Sequence, residues 1–231
     1  MTKRRSGNHL GMQPEVRVVA DVTSAALDLF LDESPATFLL TGGSTPMELY
    51  SRMAELQGYP WEETEFFLSD ERCVPDTDPR SNFGTIDRVL LSKVPSPRHP
   101  MDGDTCDADG YEATLRKRFD DSPWFDFALY GLGPDGHTAS LFPGRPEVEE
   151  TERWAVEVPE AGLEPFVPRV SLTVPVLSAA TIGVFLVAGE DKRDALQRLL
   201  KGDDIPAARM QPKRLVVLAD EAAAGGVEPD A

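Results

Sequence analysis

With 231 residues, 40 of them acidic against 23 basic for a formal net charge of −17, the chain can bury a substantial core, and its negative field repels nucleic-acid phosphates and anionic membranes, so no nucleic-acid or membrane partner is expected. The only two cysteines, Cys73 and Cys106, are too few for a disulfide framework or a zinc site; both are expected as reduced thiols, and no metal is expected. No apolar run approaches bilayer-spanning length and residues 1–9 lack the apolar core of a secretory leader, so the protein is expected in the cytoplasm.

In chain order, Val16–Ala20 reads as a first strand and Ser24–Leu31 as a helix with apolar residues at helical spacing. Thr37–Leu40 is a second strand, leading through Gly42-Gly43 to a helix that opens near Pro46, where proline lacks an N–H that the first helical turn does not need. Phe66–Leu68 is a strand, Ser81–Leu91 and Asp109–Phe119 are helices, and Phe125–Tyr130 is a short, apolar, buried-type strand. Strands follow at Trp154–Val158, Val170–Val174, Ile182–Val187 and Leu215–Leu218, with the clearest late helix over Lys192–Leu200. Alternating strands and helices predict an α/β fold, a mostly parallel sheet with helices on both faces. One domain is expected over 14–220, with mobile tails at 1–13 and 221–231, where apolar periodicity is absent.

Polar clusters fall where strands end. Thr41 to Pro46, Ser69 to Arg72 and Gly131 to His137 each follow a predicted strand, and open parallel sheets bind ligands at that edge. Gly42, Gly43 and Ser44 precede a helix and offer backbone N–H groups, a hydroxyl and the positive end of the helix dipole, which suits a phosphate. The same residues also suit an ordinary tight turn, and the lysine of a nucleotide P-loop is absent. His137 lies in a glycine-rich loop behind a strand, and histidine ionises nearer neutrality than any other side chain, so it is a natural general base. The bland alternative is a turn histidine. Asp135, Asp70 or Glu71 is placed to orient its ring. Arg72 either binds substrate or closes a loop as an ion pair; Arg169 and Lys192 stand where cations are scarce and pair a guanidinium fork with a point charge, which suits a phosphate dianion.

These segments, Gly-Gly-Ser-Thr-Pro at 42–46, Ser-Asp-Glu-Arg-Cys-Val-Pro at 69–75, Ser81-Asn82, Gly-Leu-Gly-Pro-Asp-Gly-His-Thr-Ala-Ser-Leu-Phe-Pro-Gly at 131–144 and Gly189 to Lys192, resemble the ordered motifs of the glucosamine-6-phosphate isomerase/6-phosphogluconolactonase family, over about residues 16–218. The resemblance implies a Rossmann-like sheet and hydrolysis of 6-phospho-D-glucono-1,5-lactone without metal or organic cofactor. The deaminase branch carries His-Ile-Ala-Phe-Asn-Glu-Pro after its histidine, whereas this chain has His137-Thr138-Ala139-Ser140-Leu141-Phe142-Pro143, which favours the lactonase branch. A sugar-phosphate sensor that catalyses nothing is the alternative from another class; residues 1–15 are too short for the helix-turn-helix it would need. A δ-lactone is an activated ester, so a water activated by His137 and donors for the oxyanion suffice. Covalent attack by Ser140 or Ser44 is disfavoured, since neither sits in a nucleophile elbow. The expected site is therefore His137 and Asp135 for catalysis, with Gly42, Gly43, Ser44, Arg72, Arg169 and Lys192 for a phosphorylated sugar lactone, in a monomer or weak homo-oligomer.

Overall fold

A computed structural model describes residues 13–226. Its strands are β1 (Glu15–Val18), β2 (Thr37–Leu40), β3 (Glu65–Leu68), β4 (Asp70–Arg72), β5 (Arg98–His99), β6 (Phe125–Tyr130), β7 (Ala155–Val158), β8 (Arg169–Leu172), β9 (Ala180–Val187) and β10 (Arg214–Ala219). Seven of them form one sheet in the order β1-β10-β9-β6-β2-β3-β5, and every neighbouring pair is parallel.

Successive side chains in this sheet enter opposite apolar layers. Phe38 and Leu40 of β2 pack in one layer with Phe127, Leu129, Val184 and Leu186, while Leu39 joins Ala128, Tyr130, Phe185 and Val187 in the other. Both faces are therefore buried, as parallel sheets require. The first layer is closed by α1 (Val22–Glu33), α2 (Ser44–Met53) and the helical stretch Asn82–Leu91, whose first turn is α3 (Asn82–Ile86) and whose remainder is π-helical. The second is closed by α4 (Ala108–Phe119), α5 (Val174–Ser178), α6 (Arg193–Lys201) and α7 (Glu221–Ala224). The expected α/β architecture is present.

Four sequence expectations are corrected. The segments at 154–158 and 170–174 are extended but do not enter the parallel sheet: β7 and β8 pair antiparallel with each other and with β4 in a separate sheet, β4-β8-β7. Apolar alternation marks a strand without naming its partner. The strand expected to reach Val174 ends at Leu172, because Val174-Pro175 opens α5 with proline in its first turn. The tail expected from 221 starts with α7, whose Ala223 and Ala224 are buried and whose N-cap Asp220 accepts from the Ala223 N–H; the remaining tail residues, 1–12 and 227–231, lie outside the described residues. Finally, Cys73 and Cys106 are joined as a disulfide, which ties the chain just after β4 to the segment preceding α4.

The bridge spans 33 residues of sequence, and closing a loop of that size in the unfolded chain contributes roughly 3–4 kcal/mol. Cys73→Ser with Cys106→Ser should thus lower the denaturant midpoint by that equivalent, whereas an unchanged midpoint would show that the thiols are not joined in solution.

Candidate active site

Four loops leave the C-terminal ends of the parallel strands and meet over the middle of the sheet. They enclose a cavity of about 200 Å³ lined by the 41–46 loop, Asp70, Arg72, Asn82, the 130–134 segment, His137, Ala139, Arg169, Leu186 and Lys192. Of the residues singled out from sequence, His137, Gly42, Gly43, Ser44, Arg72, Arg169 and Lys192 all line it. Asp135 stands one step back, against the imidazole.

Two buried tyrosines fix the strand ends from which these loops depart. The Tyr50 hydroxyl accepts from the Thr41 N–H and donates to the Thr41 carbonyl, both at 3.0 Å. Tyr111 does the same to Leu68 at the end of β3, accepting from its N–H at 2.9 Å and donating to its carbonyl at 3.1 Å. Just after β2, Gly43 caps α2 at φ 102°, a conformation that glycine adopts without strain. Neither an acidic residue nor a side-chain cap occupies the first turn of α2, so its N–H groups are left for an anion.

The histidine loop is held from within. The Gly133 N–H donates to the His137 carbonyl and the Gly136 N–H to the Gly133 carbonyl, both at 2.9 Å, while Arg198 donates to the Asp135 carbonyl at 3.0 Å. His137 Nδ1 lies 2.6 Å from Asp135 Oδ1. Burial is the largest single influence and disfavours the Asp135 charge, but the side-chain bond to His137, its charge and the backbone donors together outweigh it and hold the carboxyl below the usual carboxylate range. An ionised carboxylate only accepts, so the proton of this bond sits on Nδ1, and in the neutral imidazole that tautomer leaves Nε2 as the acceptor. Of the three carboxylates placed to orient the ring, Asp135 is the one that contacts it.

Glu71 does something else. Its carboxylate accepts from the N–H groups of Arg72, Asn82 and Phe83 and from the Ser81 hydroxyl, tying β4 to the start of α3. Burial pushes the carboxyl up, against the pull of those backbone donors. Asp70 accepts from the Ser69 hydroxyl at 3.0 Å and the Ser140 hydroxyl at 2.6 Å. Ser140 is fully buried and commits its proton to Asp70, an arrangement unlike that of a nucleophile.

The cations converge because β4 and β8 pair antiparallel, with Arg72 directly opposite Arg169. Arg72 donates to the Arg80 carbonyl at 2.7 Å and pairs with neither flanking carboxylate, so it does not close a loop as an ion pair. Arg169, only 3% exposed, donates to the carbonyls of Leu163 and Pro165. Among the described residues the Nε of each arginine is buried without a partner, which leaves donors for a ligand. Burial, and to a lesser extent Arg72, pull the Arg169 pKa down, and Asp70 opposes them. Lys192 follows the turn at Gly189 and lies 3.7 Å from the largely exposed Asp191, a contact that contributes little.

Sequence reasoning did not single out Asn82 and Ala139 as cavity residues. Asn82 donates to the Asp70 carbonyl at 2.9 Å, and a Cβ on Gly42 would fall 1.9 Å from its Oδ1, so the glycine's signal was complementary to a distant side chain. Ala139 takes a positive φ of 48°, which its residue type does not announce. His99, which lies between Pro97 and Pro100 in sequence, forms part of β5, stacks on Phe67 and bonds Glu65. Among the described residues no cluster suited to a metal ion occurs, and no helix is long and apolar enough to cross a membrane.

The fold and site define an α/β protein with an anion-receptive helix terminus, convergent cations and an oriented histidine at one sheet edge. The chain belongs to the glucosamine-6-phosphate isomerase/6-phosphogluconolactonase family, whose model matches residues 15–219. It is 36% identical over 211 residues to a 6-phosphogluconolactonase of Thermotoga maritima, covering 87% of this chain and 92% of that one. It is 34% identical over 229 residues to a 6-phosphogluconolactonase of Synechocystis, covering 92% and 93%. The crystal structure of the Thermotoga maritima 6-phosphogluconolactonase superposes with a TM-score of 0.82 over 90% of this chain and all of that one, at 30% identity.

Proposed function

We propose that this chain hydrolyses 6-phospho-D-glucono-1,5-lactone to 6-phospho-D-gluconate, the second step of the oxidative pentose phosphate pathway. The observation that carries the reading is the Asp135–His137 pair facing the same cavity as the open α2 terminus, Arg169 and Lys192. The phosphate sits on the N–H groups of Gly43 and Ser44, between the Arg169 guanidinium and the Lys192 ammonium. Such a local cluster is needed to hold a dianion on a chain of net charge −17.

With the phosphate anchored, His137 Nε2 takes a proton from a water as that water attacks the lactone carbonyl. The C1–ring-oxygen bond then breaks and the proton passes to the departing ring oxygen. Asp135 holds the ring and offsets the positive charge it gains. The Gly133 and Gly136 N–H groups are engaged inside their own loop, and Arg72, which lines the same cavity, supplies a donor for the developing oxyanion. No residue has to form a covalent intermediate, and no metal or organic cofactor enters the reaction. The protein works in the cytoplasm on a small phosphorylated sugar, as a monomer or weak homo-oligomer, with no nucleic-acid partner.

The test is a coupled assay on freshly generated lactone, scored against its spontaneous opening. Acceleration is expected, with no ammonia released from glucosamine 6-phosphate. Ammonia release with the lactone untouched would replace this reading by the deaminase one, and turnover of neither would point to a sensor.

A further inference from the structure

Asp70 and Arg169 lie close enough in one buried pocket to interact electrostatically, yet no direct ion pair joins them among the described residues. Asp70 is 4% exposed and Arg169 3%. Charges taken out of water are as a rule paired and hydrogen-bonded, so two opposite buried charges that do not meet need a polar group between them. What stands between them is the Ser140 hydroxyl: it donates to Asp70 Oδ2 at 2.6 Å and accepts from Arg169 Nη1 at 3.4 Å.

Ser140 is itself held in place. Its N–H donates to the Ser171 hydroxyl at 3.2 Å, and Ser171 is the cross-strand partner of Asp70 where β4 meets β8. Asp70 is fixed from its other side by the Ser69 hydroxyl, and Arg169 by the carbonyls of Leu163 and Pro165. The three side chains thus form a chain of carboxylate, hydroxyl and guanidinium in which the hydroxyl is the only link.

We propose that Ser140 is a positioning residue that keeps Asp70 from capturing Arg169. The carboxylate then offsets the buried arginine's charge while the guanidinium keeps its unpartnered Nε for an anion. Without the hydroxyl, Asp70 loses one of its two side-chain donors and the guanidinium one acceptor, and the shortest way to satisfy both is a direct Asp70–Arg169 pair. That pair turns the arginine away from the ligand. The inference rests on Arg169 holding the phosphate of the proposed substrate.

The experiment measures binding of inorganic phosphate by calorimetry and KM for the phosphorylated lactone, in wild type, Ser140→Ala, Ser140→Thr and the double variant Ser140→Ala with Asp70→Asn. Thermal midpoints identify any variant that fails to fold. Ser140→Ala should weaken phosphate binding and raise KM by about tenfold, the worth of one charge-assisted hydrogen bond, with kcat changed less than threefold. Ser140→Thr, which keeps a hydroxyl, should stay near wild type. The double variant should recover most of the lost phosphate affinity, because an amide at 70 cannot form the competing ion pair. A purely structural serine gives no such recovery, and a double variant weaker than Ser140→Ala overturns the proposal. Phosphate bound equally by wild type and Ser140→Ala also overturns it, while leaving lactone hydrolysis standing. Failure of the wild type to turn over the lactone while the phosphate pattern persists removes the lactonase reading alone.

Discussion

His137→Gln is expected to lower kcat/KM for the lactone by a factor on the order of 10²–10⁴, the usual contribution of a positioned general base. The fold and binding of the product should survive, since glutamine keeps a polar side chain in a loop whose backbone bonds do not involve the ring. The Gln variant should show only background attack by solvent hydroxide. A companion variant isolates ring position from ring chemistry. A Cβ on Gly133 would lie 2.0 Å from His137 Nδ1, so Gly133→Ala must push the imidazole off Asp135 and should lose activity while His137 is still present. Full activity in either variant, read by the same coupled assay, removes His137 from the mechanism.

The second large effect concerns the phosphate. Lys192→Ala and Arg169→Gln should each raise KM for the phosphorylated lactone about 10–100-fold, the range for losing hydrogen bonds to a charged group. With unphosphorylated gluconolactone the same substitutions should change KM little, because that substrate has no group for them to hold. Arg169 also fastens the loop carrying Leu163 and Pro165, so a thermal midpoint must accompany its kinetics; Lys192, whose ammonium meets only an exposed aspartate among the described residues, gives the cleaner reading. Equal losses on both substrates would assign these residues to the fold.

Much of this was legible in the chain because local chemistry and global position coincide. Thr37–Leu40 is a strand in sequence and in space, and the Gly-Gly-Ser-Thr stretch meets a helix start as its composition requires. What stayed hidden depends on contacts between distant residues. The Cys73–Cys106 bridge joins residues 33 apart, and a count of two cysteines is silent about whether the fold brings them together. The antiparallel sheet formed by β4, β7 and β8 places Arg72 opposite Arg169, a pairing that no periodicity announces. Three carboxylates were equivalent candidates for orienting His137, and side-chain packing separated them: one reached the ring, one capped α3 and one met Ser140. The four residues of α7 are too few to show helical spacing.

A crystal structure of the protein with 6-phospho-D-gluconate tests the account most directly, because the product carries both the phosphate and the carboxylate derived from the lactone carbonyl. The phosphate should lie on the N-terminus of α2 against Arg169 and Lys192, with a carboxylate oxygen within about 3.2 Å of His137 Nε2. A product bound in the reverse direction, or outside the cavity formed by the four loops, would contradict it.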